Sequence, residues 1–459
     1  MRWGLVVADM TGRTLVSIRP DERFTPASNV KIATTMAGFA HLEALETSAI
    51  ASGLTAHMEW DAGADLPNIV LVGGGDALVR DGADCTEHCL RDIAVQIATT
   101  GLTEIGDVVG DDRLFPDERW APGWSQEDLK HYYGTAVSAL TVNDNELWLT
   151  VEPGANIGDP ATLTWREGDA LYALENDAVT VSDDQPRTIL WERAPGSTTV
   201  RVYGTIPRGS ASRTYRLGID DPALFAAMRL RRLLEAEGIT VSGRALARHR
   251  PMTLGDFPDF TAEDAPVPAN PQCQSARPSI IAELTPTPLA DSLEIISKRS
   301  QNLHAELVLR RLGLLNGTGA RAFGLEHVDA IWAEAGVTAT GYAVTDGSGL
   351  SIYNRISPAG MVQLLLYASE QDWFSDWKAT LPIGGIDGTL ARSFNGTELE
   401  GKIFAKTGTL NGVNALSGYM IAASGRELVF SLIANDRPNL TRSAIAERDA
   451  ALLKIAEAF

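Results

Sequence analysis

Three short patterns carry residue types able to do acyl-transfer chemistry: Ser28-Asn29-Val30-Lys31, Ser300-Gln301-Asn302 and Lys406-Thr407-Gly408-Thr409. A serine three residues before a lysine at the start of a helix is a compact nucleophile–base pair, because positions i and i+3 share one helix face. The helix start also leaves backbone N–H groups free to meet negative charge. Taken alone, Ser28 and Lys31 equally describe a helix cap followed by a solvated lysine. The two later patterns, in this order, turn them into one wall of a catalytic site. Residues 293–313, around Ser300, have Leu, Ile and Ala spacing that predicts a helix. Residues 401–405, before Lys406, alternate as a strand.

The chain is long and the patterns are far apart. About 270 residues separate Ser28 from Ser300 and about a hundred separate Ser300 from Lys406, in a chain of 459. That length predicts two to three domains. One catalytic fold must gather the three patterns, so the first gap must hold an insertion. The expected division is 1–55 for the first catalytic part, 56–151 and 201–272 for a mixed inserted domain, 152–200 for a small all-β domain, and 273–459 for the second catalytic part. The all-β reading rests on short runs at 162–165, 178–181 and 188–191, separated by Pro, Gly and Asp. Residues 1–9 and 14–18 read as a hairpin. Residues 415–423 and 427–435 read as a pair turning at 424–426, and an amphipathic helix is expected from Thr441 onward. Together with the strand around Lys406 these predict an α+β catalytic domain with a five-stranded antiparallel sheet and helices on both faces.

Composition narrows the partners. The chain is 44% hydrophobic and 21% charged, with a formal net charge of -20, which argues against nucleic acid or an anionic membrane surface as partner. No run approaches the ~20 apolar residues of a transmembrane helix. The first nine residues are too short and too early interrupted by Asp9 for a signal peptide, so a removed signal or an upstream start is expected. Cys85 and Cys89 flank His88, but no second Cys/His cluster follows and no metal is expected. Those two cysteines are read either as a local disulfide or, with Cys273, as buried thiols. The glycines at 73–75 lack a following Gly-Lys-Ser/Thr and are read as a turn rather than a phosphate loop.

The order S-x-x-K, S-x-N, K-T-G resembles that of β-lactamases and penicillin-binding proteins. More narrowly, the chain resembles the low-molecular-mass class C penicillin-binding proteins, D-alanyl-D-alanine carboxypeptidases and endopeptidases with two extra domains between the first and second patterns. The resemblance runs through residues 26–31, 133–145, 300–306, 346–351, 385–390 and 406–410. It implies a serine DD-peptidase acting on peptidoglycan stem peptides outside the cytoplasmic membrane, acylated by β-lactam antibiotics and needing no cofactor. A serine β-lactamase or D-amino-acid amidase of the same fold is the alternative, and a catalytically weak wall-binding protein a third.

The resemblance implies roles for particular residues. Ser28 is the expected nucleophile, and Lys31 its base, with a pKa lowered by burial and by Lys406. The backbone N–H groups of Ser28 and Thr409 form the oxyanion hole. Ser300, close to Lys406, relays a proton to the leaving amine, and Asn302 holds an amide of the acyl donor. Thr407, Gly408 and Thr409 bind the terminal carboxylate, and Asp128, Tyr133 and Leu350 line the substrate site. Asp387-Gly388-Thr389 is expected to support the strand around Lys406. One departure stands out. The family's Asp-Gly-Ser-Gly-Leu-Ser is commonly followed by an arginine that binds a diaminopimelate carboxylate, and here the position is Ile352. Either Arg355 substitutes, or the preferred side chain differs, for example an amidated one.

Overall fold

The structure is a computed structural model that describes residues 1–47, 53–166, 171–260, 279–436 and 443–459. The first and last parts of the chain share one antiparallel sheet. Its order is Ile403–Leu410, Val413–Ile421, Glu427–Asn435, Arg2–Asp9, Thr14–Ile18. The hairpin forms as the sequence predicts, and so does the pair expected at 415–423 and 427–435, whose first strand lies two residues earlier, at Val413–Ile421.

Strand periodicity explains the near-continuous apolar runs. Along Arg2–Asp9, Leu5 and Val7 pack with Leu452 and Ala456 of the C-terminal helix Ser443–Ala458. Val6 and Ala8 face the opposite way, toward the helices carrying Val30, Leu293, Val308 and Met361. Successive side chains leave a strand on opposite faces, so a sheet covered on both sides must be apolar at every position. Each fully buried Leu or Val here contributes roughly 1.5–3 kcal/mol of transfer free energy. The expected start of the last helix at Thr441 lies outside the described residues.

Residues 293–313 are not one helix. Helix Leu289–Lys298 ends, Ser300 takes a left-handed φ of 59°, and helix Asn302–Asn316 begins. The apolar period continues through the break, which is why periodicity alone did not reveal it. The Gln301 side chain caps the new helix by accepting from the Leu303 N–H, satisfying one of the free donors of its first turn.

The inserted region holds a mixed five-stranded sheet, ordered Ala245–Arg250, Val108–Pro116, Asn68–Val72, Leu54–Glu59, Ile280–Leu284. Two three-stranded sheets adjoin it: Arg213–Gly218 with Glu146–Glu152 and Thr162–Trp165, and Leu190–Glu192 with Thr199–Pro207 and Ala173–Val181. Strand Ile280–Leu284 pairs with Leu54–Glu59, and so continues the inserted sheet past residue 272. Strand Thr199–Pro207 likewise runs across residue 200. Cys85 and Cys89 are joined by a disulfide; Cys273 lies outside the described residues. Among the described residues no helix is long and apolar enough to cross a membrane.

Candidate active site

Ser28 sits in a turn of 3-10 helix, Ala27–Asn29, that leads into helix Val30–Ala40. Ala27 has φ 49°, an uncommon left-handed value for a residue with a Cβ. The Asn29 side chain ties this turn to the sheet by donating to Ser417 Oγ at 2.7 Å, and Ser417 lies opposite Lys406 in the ladder. Lys31 is buried, and its Nζ lies 3.0 Å from Ser28 Oγ. The same nitrogen donates to Asn302 Oδ1 at 2.6 Å and to the Ser348 carbonyl.

The second and third patterns close around this pair. Lys406 Nζ donates to Ser300 Oγ at 2.8 Å and to the Thr407 carbonyl at 3.1 Å. The Asn302 amide donates to the Tyr133 carbonyl at 2.7 Å, so the inserted region supplies an acceptor to the site. Thr407 Oγ1 is bonded to Thr389 Oγ1 at 2.7 Å, and Asp387 accepts from Lys298 and from the Ile383 N–H. Residues 387–389 therefore brace the strand from outside.

Strand Ile403–Leu410 is a sheet edge. Its Ile403 carbonyl and Ala405 N–H bond outward, to the Gly384 N–H and the Pro382 carbonyl. Because strand geometry repeats every two residues, the N–H groups of Thr407 and Thr409 also point away from the sheet, on the side where Ser28 lies. Gly408 makes the approach possible, since a Cβ there would stand 2.5 Å from the Pro26 carbonyl oxygen.

Burial sets the electrostatics. Desolvation pulls the Lys31 amine down to about 7, against the pull of the carboxylates Asp346 and Glu306. Desolvation, followed by the charge of Lys31, also holds Lys406 well below its ordinary value. Lys31 is thus lowered by burial as expected, while the influence of the two lysines falls on Lys406. A neutral amine has two N–H bonds and one lone pair. With Asn302 Oδ1 and the Ser348 carbonyl taking both N–H bonds, the lone pair is left for Ser28 Oγ. The supporting carboxylates carried no signal of role in the sequence, although both lie in stretches that bear the family resemblance.

A cavity of about 950 Å³ opens over these groups, lined by Ser28, Ser300, Asn302, Leu350 and Thr409 on the catalytic side and by Asp128, Tyr132 and Tyr133 from the inserted region. Burial raises the Asp128 carboxyl above its usual range, against hydrogen bonds from Ser125 and the Tyr133 side chain. Burial raises the Tyr133 phenol as well, with the Asp128 charge acting in the same direction. The wall bearing Asp128 is fastened to residues 346–352: Trp124 Nε1 donates to Asp346, Ser351 Oγ to the Pro122 carbonyl, and the Ile352 N–H to the Gly123 carbonyl. Ile352 lines the cavity and is 54% exposed, so its side chain is available to a ligand. Arg355 also lines the cavity, its Nη1 donating to Thr25 Oγ1 and to the carbonyls of Ile352 and Asn354.

The fold is that of the penicillin-binding proteins. The crystal structure of penicillin binding protein 4 from Haemophilus influenzae aligns over 99% of this chain and 96% of that one, with a TM-score of 0.81 at 18% identity. The same protein complexed with a β-lactam aligns with a TM-score of 0.75 at 19% identity, over 99% of this chain and 95% of that one. The chain itself belongs to the D-Ala-D-Ala carboxypeptidase 3 (S13) family, which matches residues 1–255 and 267–457. It is 32% identical to the D-alanyl-D-alanine carboxypeptidase of Actinomadura sp. (strain R39), over 99% of this chain and 81% of that protein. Identity to the D-alanyl-D-alanine carboxypeptidase DacB of Haemophilus influenzae is 23%, over 93% of this chain and 81% of that protein.

Proposed function

We propose that this protein is a serine DD-peptidase that cleaves the D-Ala-D-Ala bond of peptidoglycan stem peptides outside the cytoplasmic membrane. The observation that carries the reading is the placement of Lys31 Nζ between Ser28 Oγ, Asn302 Oδ1 and the Ser348 carbonyl. Neutral Lys31 takes the Ser28 proton as Oγ attacks the carbonyl carbon of the penultimate D-Ala. The oxyanion is met by the Ser28 and Thr409 N–H groups, an arrangement worth roughly 3–4 kcal/mol per donor. When the C–N bond breaks, the departing nitrogen takes the Ser300 hydroxyl proton, and Ser300 takes in turn the proton that Lys31 removed from Ser28, which leaves Lys31 neutral. Thr407 and Thr409 hydroxyls, beside Lys406, hold the terminal carboxylate, with Gly408 keeping the backbone close. Asn302 holds an amide of the acyl donor. Water then cleaves the ester, with Lys31 again as base. A β-lactam follows the same first step, but its leaving nitrogen stays tethered, which favours a long-lived ester.

Asp128, Tyr133 and Leu350 form the pocket for the third-residue side chain. An isoleucine at 352 offers no bidentate partner for a carboxylate, so we place an amidated side chain there in preference to a free acid.

Incubation with a fluorescent penicillin and intact-mass measurement tests the nucleophile. Wild type gains one stable adduct and Ser28→Ala gains none. Equal labelling of both proteins sinks the assignment, and rapid loss of the adduct favours a β-lactamase. Comparing D-Ala release from stem peptides with free and amidated diaminopimelate tests the pocket, and a strong preference for the free acid refutes it.

A further inference from the structure

Beneath Lys31 lies a buried acid that the chemistry above does not use. Glu306, one turn into helix Asn302–Asn316, is fully buried. Its Oε1 alone accepts from two consecutive backbone N–H groups, Gly347 at 3.0 Å and Ser348 at 2.8 Å. The Ser348 carbonyl is the acceptor that orients Lys31 Nζ. The other oxygen, Oε2, is buried without a hydrogen-bond partner among the described residues, and Arg310 Nη1 stands 3.9 Å away. A buried polar atom left unpaired costs stability, so its retention calls for an explanation beyond packing.

We propose that Glu306 is a positioning residue for the Ser28–Lys31 pair: it folds residues 347–348 so that the Ser348 carbonyl fixes the Lys31 amine, and it sets by its charge how readily that amine gives up its proton. The inference rests on the acyl-enzyme reading above. An amide could accept the same two N–H bonds, but only a carboxylate attracts the proton on Lys31.

The charged groups around Glu306 are few. Arg310 lies on its own helix, with Glu118 and Arg321 beyond, Asp346 on the loop it holds, and Lys31 on helix Val30–Ala40, with Lys406 behind Lys31. Burial, and then the charge of Asp346, raise the Glu306 carboxyl to about 7, against Arg310 and the hydrogen bonds from Ser348. The charge of Glu306 in turn favours the protonated Lys31 amine, acting there after that of Asp346. Asp346 is fully committed elsewhere, accepting from Gly349, Ser351, Trp124 and Asn354.

The test is the pH dependence of acylation by a reporter penicillin for wild type, Glu306→Gln and Glu306→Asp, with the melting temperature of each. In Glu306→Gln the midpoint of the rising limb moves to lower pH by about half a unit, so that between pH 7 and 8 the rate lies nearer its plateau than in wild type, while below pH 6, where Glu306 is itself protonated, the two profiles converge. In Glu306→Asp the charge remains but the reach shortens, so the limb stays in place while the plateau falls. A Gln profile that superposes on wild type overturns the proposal. If Glu306→Gln does not fold, a Glu306→Asp profile unchanged in both limb and plateau overturns it. Wild type that is not acylated at Ser28 refutes the acyl-enzyme reading instead.

Discussion

The chemistry proposed for Lys31 depends on a cost accepted at a single side chain. An amine with an ordinary value of 10.5 is held at about 7 in the fold. Its folded pKa lies below its unfolded one, so the unfolded chain binds the extra proton between about pH 7 and 10.5. The penalty is therefore full below pH 7 and fades as pH rises toward 10.5. Urea midpoints should show wild type gaining about 2–3 kcal/mol on Lys31→Met between pH 7.5 and 9.5. A flat difference across that range shows that Lys31 is not depressed. The same residue sets the activity profile: acylation by penicillin rises with pH through an apparent value near 7, and a plateau that extends down to pH 5 excludes Lys31 as the base.

Elements, rather than side chains, bring the three patterns within reach of one another. The turn Ala27–Asn29 is clamped between strand Ile403–Leu410 and residues 346–351, and a glycine lies at each contact. A Cβ on Gly349 would stand 2.0 Å from the Ala27 carbonyl oxygen, at a φ of +82° that disfavours any side chain. Gly349→Ala should therefore displace the Ser28 turn, lowering stability by about 2 kcal/mol or more and acylation at least tenfold, as read by melting temperature and labelling rate. Unchanged labelling shows that the turn is positioned by something else. Much of this layer was legible in the sequence. The strand around Lys406 announces itself by alternation, the hairpin and the pair expected at 415–423 and 427–435 by apolar runs broken at turn residues, and the short patterns mark their own ends. The break at Ser300 was not legible, because Leu293, Ile296, Leu303 and Leu307 keep a helical rhythm on both sides of it. Its cause is tertiary: Ser300 must turn out to meet Lys406, about a hundred residues away. Glu306 was hidden for the same reason, since it matters through a partner distant in sequence.

At the scale of the whole molecule, the inserted region is part of the site and not an appendage. It contributes the Tyr133 carbonyl to Asn302, and it contributes Asp144, whose Oδ1 bonds His304 Nε2 at 2.9 Å two residues further along the same helix. Asn143, Asp144 and Asn145 all have left-handed φ values, from 52° to 56°, and such residues persist where surrounding contacts over-determine them. Here the Asn143 and Asn145 side chains bond the backbone of residues 81, 136 and 142, and Arg80 pairs with Asp144 at 3.1 Å. Burial opposes the Asp144 charge, but the His304 hydrogen bond and Arg80 overcome it and hold the carboxyl down at about 2. A depressed carboxyl contributes its stability above its unfolded value of 3.8 and loses it as pH falls toward 2. Asp144→Asn should thus be less stable than wild type by about 2 kcal/mol at pH 7 and by roughly half that at pH 3, as read from urea midpoints. Because the same contact seats the helix that begins at Asn302, the variant should also acylate more slowly with Ser28 and Lys31 intact. A stability difference that does not narrow with acid, or unaltered acylation, shows that the inserted region stands beside the catalytic site without holding it.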